Sequence, residues 1–178
     1  MSVNFSISEI FKKRILVLDG AMGTMIQKFN LNESDFRGNM FAEHTFNLKG
    51  MNDVLSLTKP DVIKNIHSQY LEAGADIIET NTFNATSVVL SDYGLSEYVY
   101  DINFAAAKIA KEIAENYTLL NPDKPRFVAG SIGPTSKTLS IATDIENTAS
   151  REINFNDLAY AYYQQIKALV EGGVDLLL

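Results

Sequence analysis

The sequence predicts an α/β fold with parallel strands, the N-terminal half of a (β/α)8 barrel, on three observations. Short apolar runs alternate with longer stretches of helical periodicity in the order β-α-β-α-β-α-β, and such alternation specifies a parallel sheet. The glycines after the first apolar run, Gly20 and Gly23, do not form the G-x-G-x-x-G turn of a doubly wound dinucleotide-binding sheet, which favours the barrel. A full barrel takes roughly 250 residues and eight strands, whereas these 178 residues reach a fourth strand only at Leu178.

The elements follow in order. Ile15-Leu16-Val17-Leu18, closed by Asp19-Gly20, is too short for a helix and reads as a buried first strand. Residues 30–58 read as a polar connection. Pro60 suits the first position of a helix whose face is Val62, Ile63, Ile66, Tyr70 and Ala73, and Gly74 stops it. Asp76-Ile77-Ile78-Glu79 is the second strand. Val99, Ile102, Ala106, Ile109 and Ile113 repeat the helical spacing until Asn121-Pro122-Asp123 breaks it, and Arg126-Phe127-Val128-Ala129 is a third strand ending at Gly130. Leu158, Tyr162, Ile166, Leu169 and Val170 form the last helix face, stopped by Gly172-Gly173 before Asp175-Leu176-Leu177-Leu178. Residues 71–78 match residues 170–177 as helix-glycine-strand junctions, through either duplication or the shared chemistry of such junctions.

Composition narrows the function classes. With 46% hydrophobic residues the chain can bury a core, and we read residues 1–178 as one partial barrel domain. Its 15 Lys+Arg against 22 Asp+Glu leave −7, opposite to what a nucleic acid or an anionic membrane selects. The absence of cysteine excludes a disulfide framework, a thiolate metal cage and a cysteine nucleophile within this chain. Residues 1–14 lack a signal-peptide block and no stretch approaches ~20 apolar residues, so the expected location is cytoplasmic.

In parallel α/β folds sites gather where strands end. Three segments therefore fall on one rim: residues 19–24, 79–84 and 130–135. Asp19 beside a glycine turn suits an amino acid zwitterion, the carboxylate meeting the ammonium and the amides of Gly20, Ala21, Met22 and Gly23 meeting the carboxylate. The alternative is that Asp19 caps the following turn and the glycines allow positive φ. Glu79, Thr80, Asn81 and Thr82 follow directly on Asp76-Ile77-Ile78 rather than a turn pair and imply side chains projecting into a polar cavity. His44 and His67 lack metal-ligand spacing, and His67 reads as a surface or packing residue of its helix. No lysine ends a strand, so a Schiff base is not supported.

Whole segments carry a resemblance: residues 15–24, 31–38 with Phe36-Arg37-Gly38, Lys49-Gly50-Met51-Asn52-Asp53, residues 74–83 with Glu79-Thr80-Asn81-Thr82-Phe83, and residues 102–108. From about Ile15 to Leu178 the chain resembles the N-terminal homocysteine-binding domain of the cobalamin-dependent methionine synthases, within the wider homocysteine S-methyltransferase family. The resemblance implies a TIM barrel in which three later cysteines hold zinc, the zinc binds homocysteine as thiolate, and methylcobalamin, recharged by 5-methyltetrahydrofolate, donates the methyl group to give methionine. It implies that Asp19 and residues 20–23 hold the amino acid end, with Glu79, Thr80 and Asn81 lining the same pocket. The cobalamin-binding and folate-binding domains of the longer protein would be its partners. The expectation is that the zinc cysteines lie beyond Leu178, that this chain binds no metal or cofactor and is inactive alone, and that it self-associates. The alternatives are a non-catalytic self-associating half-barrel, a related homocysteine methyltransferase with another methyl donor, or a barrel enzyme using Asp19 and Glu79 as acid and base.

Overall fold

The computed structural model describes residues 6–137, 139 and 153–178; the first five residues of the N-terminal segment lie outside the described residues. In chain order the elements are α1 (Ile7–Phe11), α2 (Met22–Gln27), α3 (Glu33–Arg37), a 3-10 turn (Asn52–Val54), α4 (Leu55–Thr58), α5 (Pro60–Ala73), β1 (Ile77–Glu79), α6 (Ser87–Ser91), a 3-10 turn (Ser96–Tyr98), α7 (Val99–Leu120), β2 (Phe127–Gly130), α8 (Phe155–Gly172) and β3 (Leu176–Leu177). The strands form an open parallel sheet in the order β1-β2-β3, with Ile77 opposite Phe127 and Ala129 opposite Leu176.

Strand alternation divides the core. Ile78 and Val128 point to one face and pack with Leu71, Ala110 and Ala114 of α5 and α7. Ile77, Phe127 and Ala129 point to the other, against Ile7 and Ile10 of α1, Leu16 and Leu176. The long helices begin and end as their spacing predicts. Pro60 opens α5, and Gly74 (φ 110°) and Gly173 (φ 97°) take the left-handed conformation that ends α5 and α8. The carbonyls at the end of α5 then receive cations, Lys124 donating to Gly74 O at 2.9 Å and Arg126 to Ala75 O.

The two helix-glycine-strand junctions share one device. Asp76 N donates to Val17 O at 2.7 Å while Val17 N donates to the Asp76 carboxylate at 2.9 Å. Asp175 N donates to Val128 O at 2.9 Å while Val128 N donates to the Asp175 carboxylate at 2.8 Å. Each aspartate thus clasps both backbone groups of one residue on the preceding chain segment, which accounts physically for the repeated pattern. Arg14 completes the first clasp with two hydrogen bonds of 2.8 Å to Asp76. Burial works against the Asp76 charge, but the Arg14 and Val17 hydrogen bonds and the Arg14 and Lys124 charges outweigh it and hold the group below the usual carboxylate range.

Two expectations are corrected. Residues 15–18 are not a buried strand: they meet β1 through a single bridge, Leu18 to Ile77. Both Asp76 N and Ile77 N donate to Val17 O, which interrupts a regular ladder. Among the described residues the segment's one bridge is to β1, and Ile15 and Val17 are exposed. The connection 30–58 is not merely polar, since it buries Phe36, Phe41, Leu48, Met51, Val54 and Leu55. Side chains order it. Asn32 and Asp35 form a reciprocal cap on α3, Glu33 accepts from the amides of Leu48 and Lys49, and Arg37 donates to Glu33 and to the carbonyls of His44 and Phe46. These contacts have no period, so a search for periodicity passes over them.

Candidate functional site

A cavity of about 320 Å³ opens beside the C-terminal ends of β1 and β2, walled by residues 19–23, Asn52, Asp53, residues 79–84 and Ser131. The structure therefore brings Asp19, Gly20, Ala21, Met22 and Gly23 together with Glu79, Thr80 and Asn81. Of residues 130–135 only Ser131 reaches the wall. Asn52 and Asp53 were not singled out as site residues, although the Asn-Asp pair ahead of an apolar helical stretch was a visible signal.

Asp19 does not cap the turn that follows it: α2 starts at Met22 with Ala21 as its N-cap, and the Asp19 carboxylate takes its hydrogen bond from Glu79 N instead. The carboxylate turns back across the cavity, with each oxygen 3.1 Å from that amide. Burial pushes its pKa up to about 7; the Glu79 N–H opposes that rise and the Glu79 carboxylate adds to it. Gly20 and Gly23 are not among the glycines with positive φ. A Cβ at Gly20 would meet nothing within 4 Å, and one at Gly23 would sit 3.6 Å from Asn52 Nδ2, an ordinary contact. Neither backbone conformation nor crowding calls for glycine there. Among the described residues the amides of Gly20 and Ala21 also donate to no other group.

The polar run after β1 divides its work. Thr80 and Thr82 share a hydroxyl contact of 2.6 Å, Thr82 donates to Ser131 O at 2.8 Å, and Ser131 N donates to Thr80 Oγ1 at 3.0 Å. These hydroxyls stitch the loop after β1 to the loop after β2. Asn81 donates to Asn52 O at 2.7 Å, and Ser131 Oγ donates to a Glu79 carboxylate oxygen at 2.8 Å. Asp53, only 2% exposed, accepts from Asn84 N at 2.8 Å, and burial raises its pKa to about 6 against the pull of that hydrogen bond. Three carboxylates and no lysine, arginine or histidine line the cavity. Such a wall attracts an ammonium.

Among the described residues no group of three or more His, Cys, Asp or Glu could hold a metal ion. His44 contacts the Tyr93 carbonyl at 2.8 Å, away from the cavity. His67 is fully buried in α5 with neither ring nitrogen hydrogen-bonded, and burial lowers its pKa to about 4. No helix among the described residues is long and apolar enough to cross a membrane.

Comparison with known proteins bears on this arrangement. The sequence pattern of the family described as Homocysteine S-methyltransferase matches residues 16–178. The oxidized form of the Escherichia coli homocysteine methyltransferase MmuM is similar in structure, with a TM-score of 0.71 and 24% identity, over 98% of this chain and 56% of that one. Its metallated form gives 0.68 at 24% identity over 95% and 55%. Its apo form gives 0.61 at 22% over 94% and 50%. These likenesses establish the fold as about half of a TIM-type barrel with parallel strands, and the chain spans about half the length of those solved structures.

Proposed function

The chain belongs to the homocysteine S-methyltransferase family, and from that premise we propose that its cavity holds the amino acid end of homocysteine during methyl transfer to the sulfur. The observation that carries this reading is the pair Gly20 and Gly23, which neither backbone conformation nor crowding among the described residues requires, beside the Asp19 carboxylate. A ligand carboxylate approaching the amides of residues 20–23 accounts for both glycines, while Asp19 faces the ammonium. Glu79 and Asn81 close the wall around it, and Thr80 serves by tying the two loops together.

Zinc, when bound in this family, holds the homocysteine sulfur as a nucleophilic thiolate. With no cysteine in the sequence and no cluster of three ligands among the described residues, this chain does not fit that ion, and its own part is binding and orientation. The finer reading is a methionine synthase using methylcobalamin recharged by 5-methyltetrahydrofolate, with cobalamin-binding and folate-binding domains as partners. It is supported by the resemblance of Phe36-Arg37-Gly38 and Lys49-Gly50-Met51-Asn52-Asp53, the second of which contributes Asn52 and Asp53 to the cavity wall.

Calorimetric titration of L-homocysteine into the chain tests the proposal. Wild type should bind and Asp19→Asn should bind at least tenfold more weakly, in line with the loss of a partly buried charge partner of about 2 kcal/mol. Failure of the wild type to bind, or a change under threefold in a folded variant, overturns it.

A further inference from the structure

The loop over residues 82–85 has little regular structure, yet each of its residues is braced by a different part of the chain. Gln165 Nε2 of α8 donates to Thr82 O at 2.7 Å, Gly133 N donates to Phe83 O at 3.1 Å, and Asn103 Nδ2 of α7 donates to Ala85 O at 2.8 Å. The fourth brace is the Asp53 carboxylate, which accepts from Asn84 N at 2.8 Å. Of the four, only Asp53 is itself part of the cavity wall, and Asn81 ties the same 52–53 segment to the start of the loop through Asn52 O.

An apolar side chain at position 53 would fill the same buried space without the desolvation of an acid. What it would lack is an acceptor for the Asn84 amide. We propose that Asp53 is a positioning residue: through the Asn84 N–H it holds Phe83 and Asn84 at the cavity mouth in the arrangement that receives the substrate. This rests on the homocysteine reading above. Phe83 is 54% exposed and is held from the other side by Gly133, whose N–H donates to its carbonyl and whose Cα lies against its ring, so the Asp53 bond to Asn84 N fixes the following peptide.

The test uses the whole chain, with L-homocysteine as the titrated probe and hydrogen exchange at the Asn84 amide as a second readout. Asp53→Ala should weaken binding at least tenfold and speed Asn84 exchange at least tenfold. Asp53→Asn keeps an oxygen acceptor of the same shape and should recover both to within about threefold of wild type. Ile109→Val, a core change on α7 outside the cavity wall, should lower the melting temperature and leave affinity in place. The proposal is overturned by unchanged Asn84 exchange in Asp53→Ala, by equal losses in the alanine and asparagine variants, or by an affinity loss that Ile109→Val reproduces. A wild type that binds no homocysteine overturns the functional reading, while the exchange data still decide whether Asp53 holds the loop.

Discussion

Asp19 makes substrate binding a titration. In the free cavity its pKa stands near 7, and an ammonium is held by the ionised form. The ionised fraction is then about 0.76 at pH 7.5 and about 0.03 at pH 5.5, so homocysteine affinity should fall about 25-fold between them, ~1.9 kcal/mol. Over that range the ligand keeps its ammonium and thiol protonated, so the slope belongs to the protein. Asp53, raised to about 6, titrates in the same window, and Asp19→Asn separates the two. The variant should bind weakly throughout and keep only the shallower Asp53 dependence. Titration calorimetry at half-unit pH steps in two buffers of different ionisation enthalpy reads both the affinity and the proton released. A wild-type affinity that varies less than threefold across the window would refute the placement of the ammonium on Asp19.

His67 stays neutral in the fold down to about pH 4, whereas the unfolded chain protonates near 6.5, so its contribution to stability falls as pH drops through that interval. His67→Leu should remove about 2 kcal/mol of acid sensitivity between pH 7 and pH 5, measured by urea unfolding at the two pH values. A Cβ at Gly172 would stand 2.4 Å from Ala107 Cβ and 3.2 Å from Phe104 O, where α8 crosses α7. Gly172→Ala should therefore lower stability by about 1–3 kcal/mol despite alanine's better helix propensity, and a raised melting temperature would contradict this. The open sheet leaves Ile15 and Val17 exposed on one side and Leu177 and Leu178 on the other, so the 178-residue chain should form dimers or larger assemblies at micromolar concentration. Sedimentation of a monomer with cooperative melting would rule that out.

Local patterns in the sequence were enough to place α5, α7 and α8, the strands β1 and β2, and the rim positions of Asp19 and Glu79. The helical repeat and the glycine stops act within a turn or two of chain, and side chains just past a strand end share one rim in any parallel sheet. The same local reasoning read residues 15–18 as a strand because four apolar residues look alike whether their ladder is complete or broken by two amides sharing Val17 O. The core of residues 30–58 was hidden because Glu33 and Arg37 organise it by bonds to backbone groups up to 16 residues away. His67 falls on the apolar face of its helix, four residues after Ile63 and three before Tyr70, but that its ring is buried with neither nitrogen hydrogen-bonded is decided only by the packing around it. Asn52 and Asp53 entered the cavity wall only through partners about thirty residues on, Asn81 and Asn84. The raised pKa of Asp19 belongs wholly to the tertiary structure, since burial and the approach of Glu79 exist only once β1 lies beside residue 19.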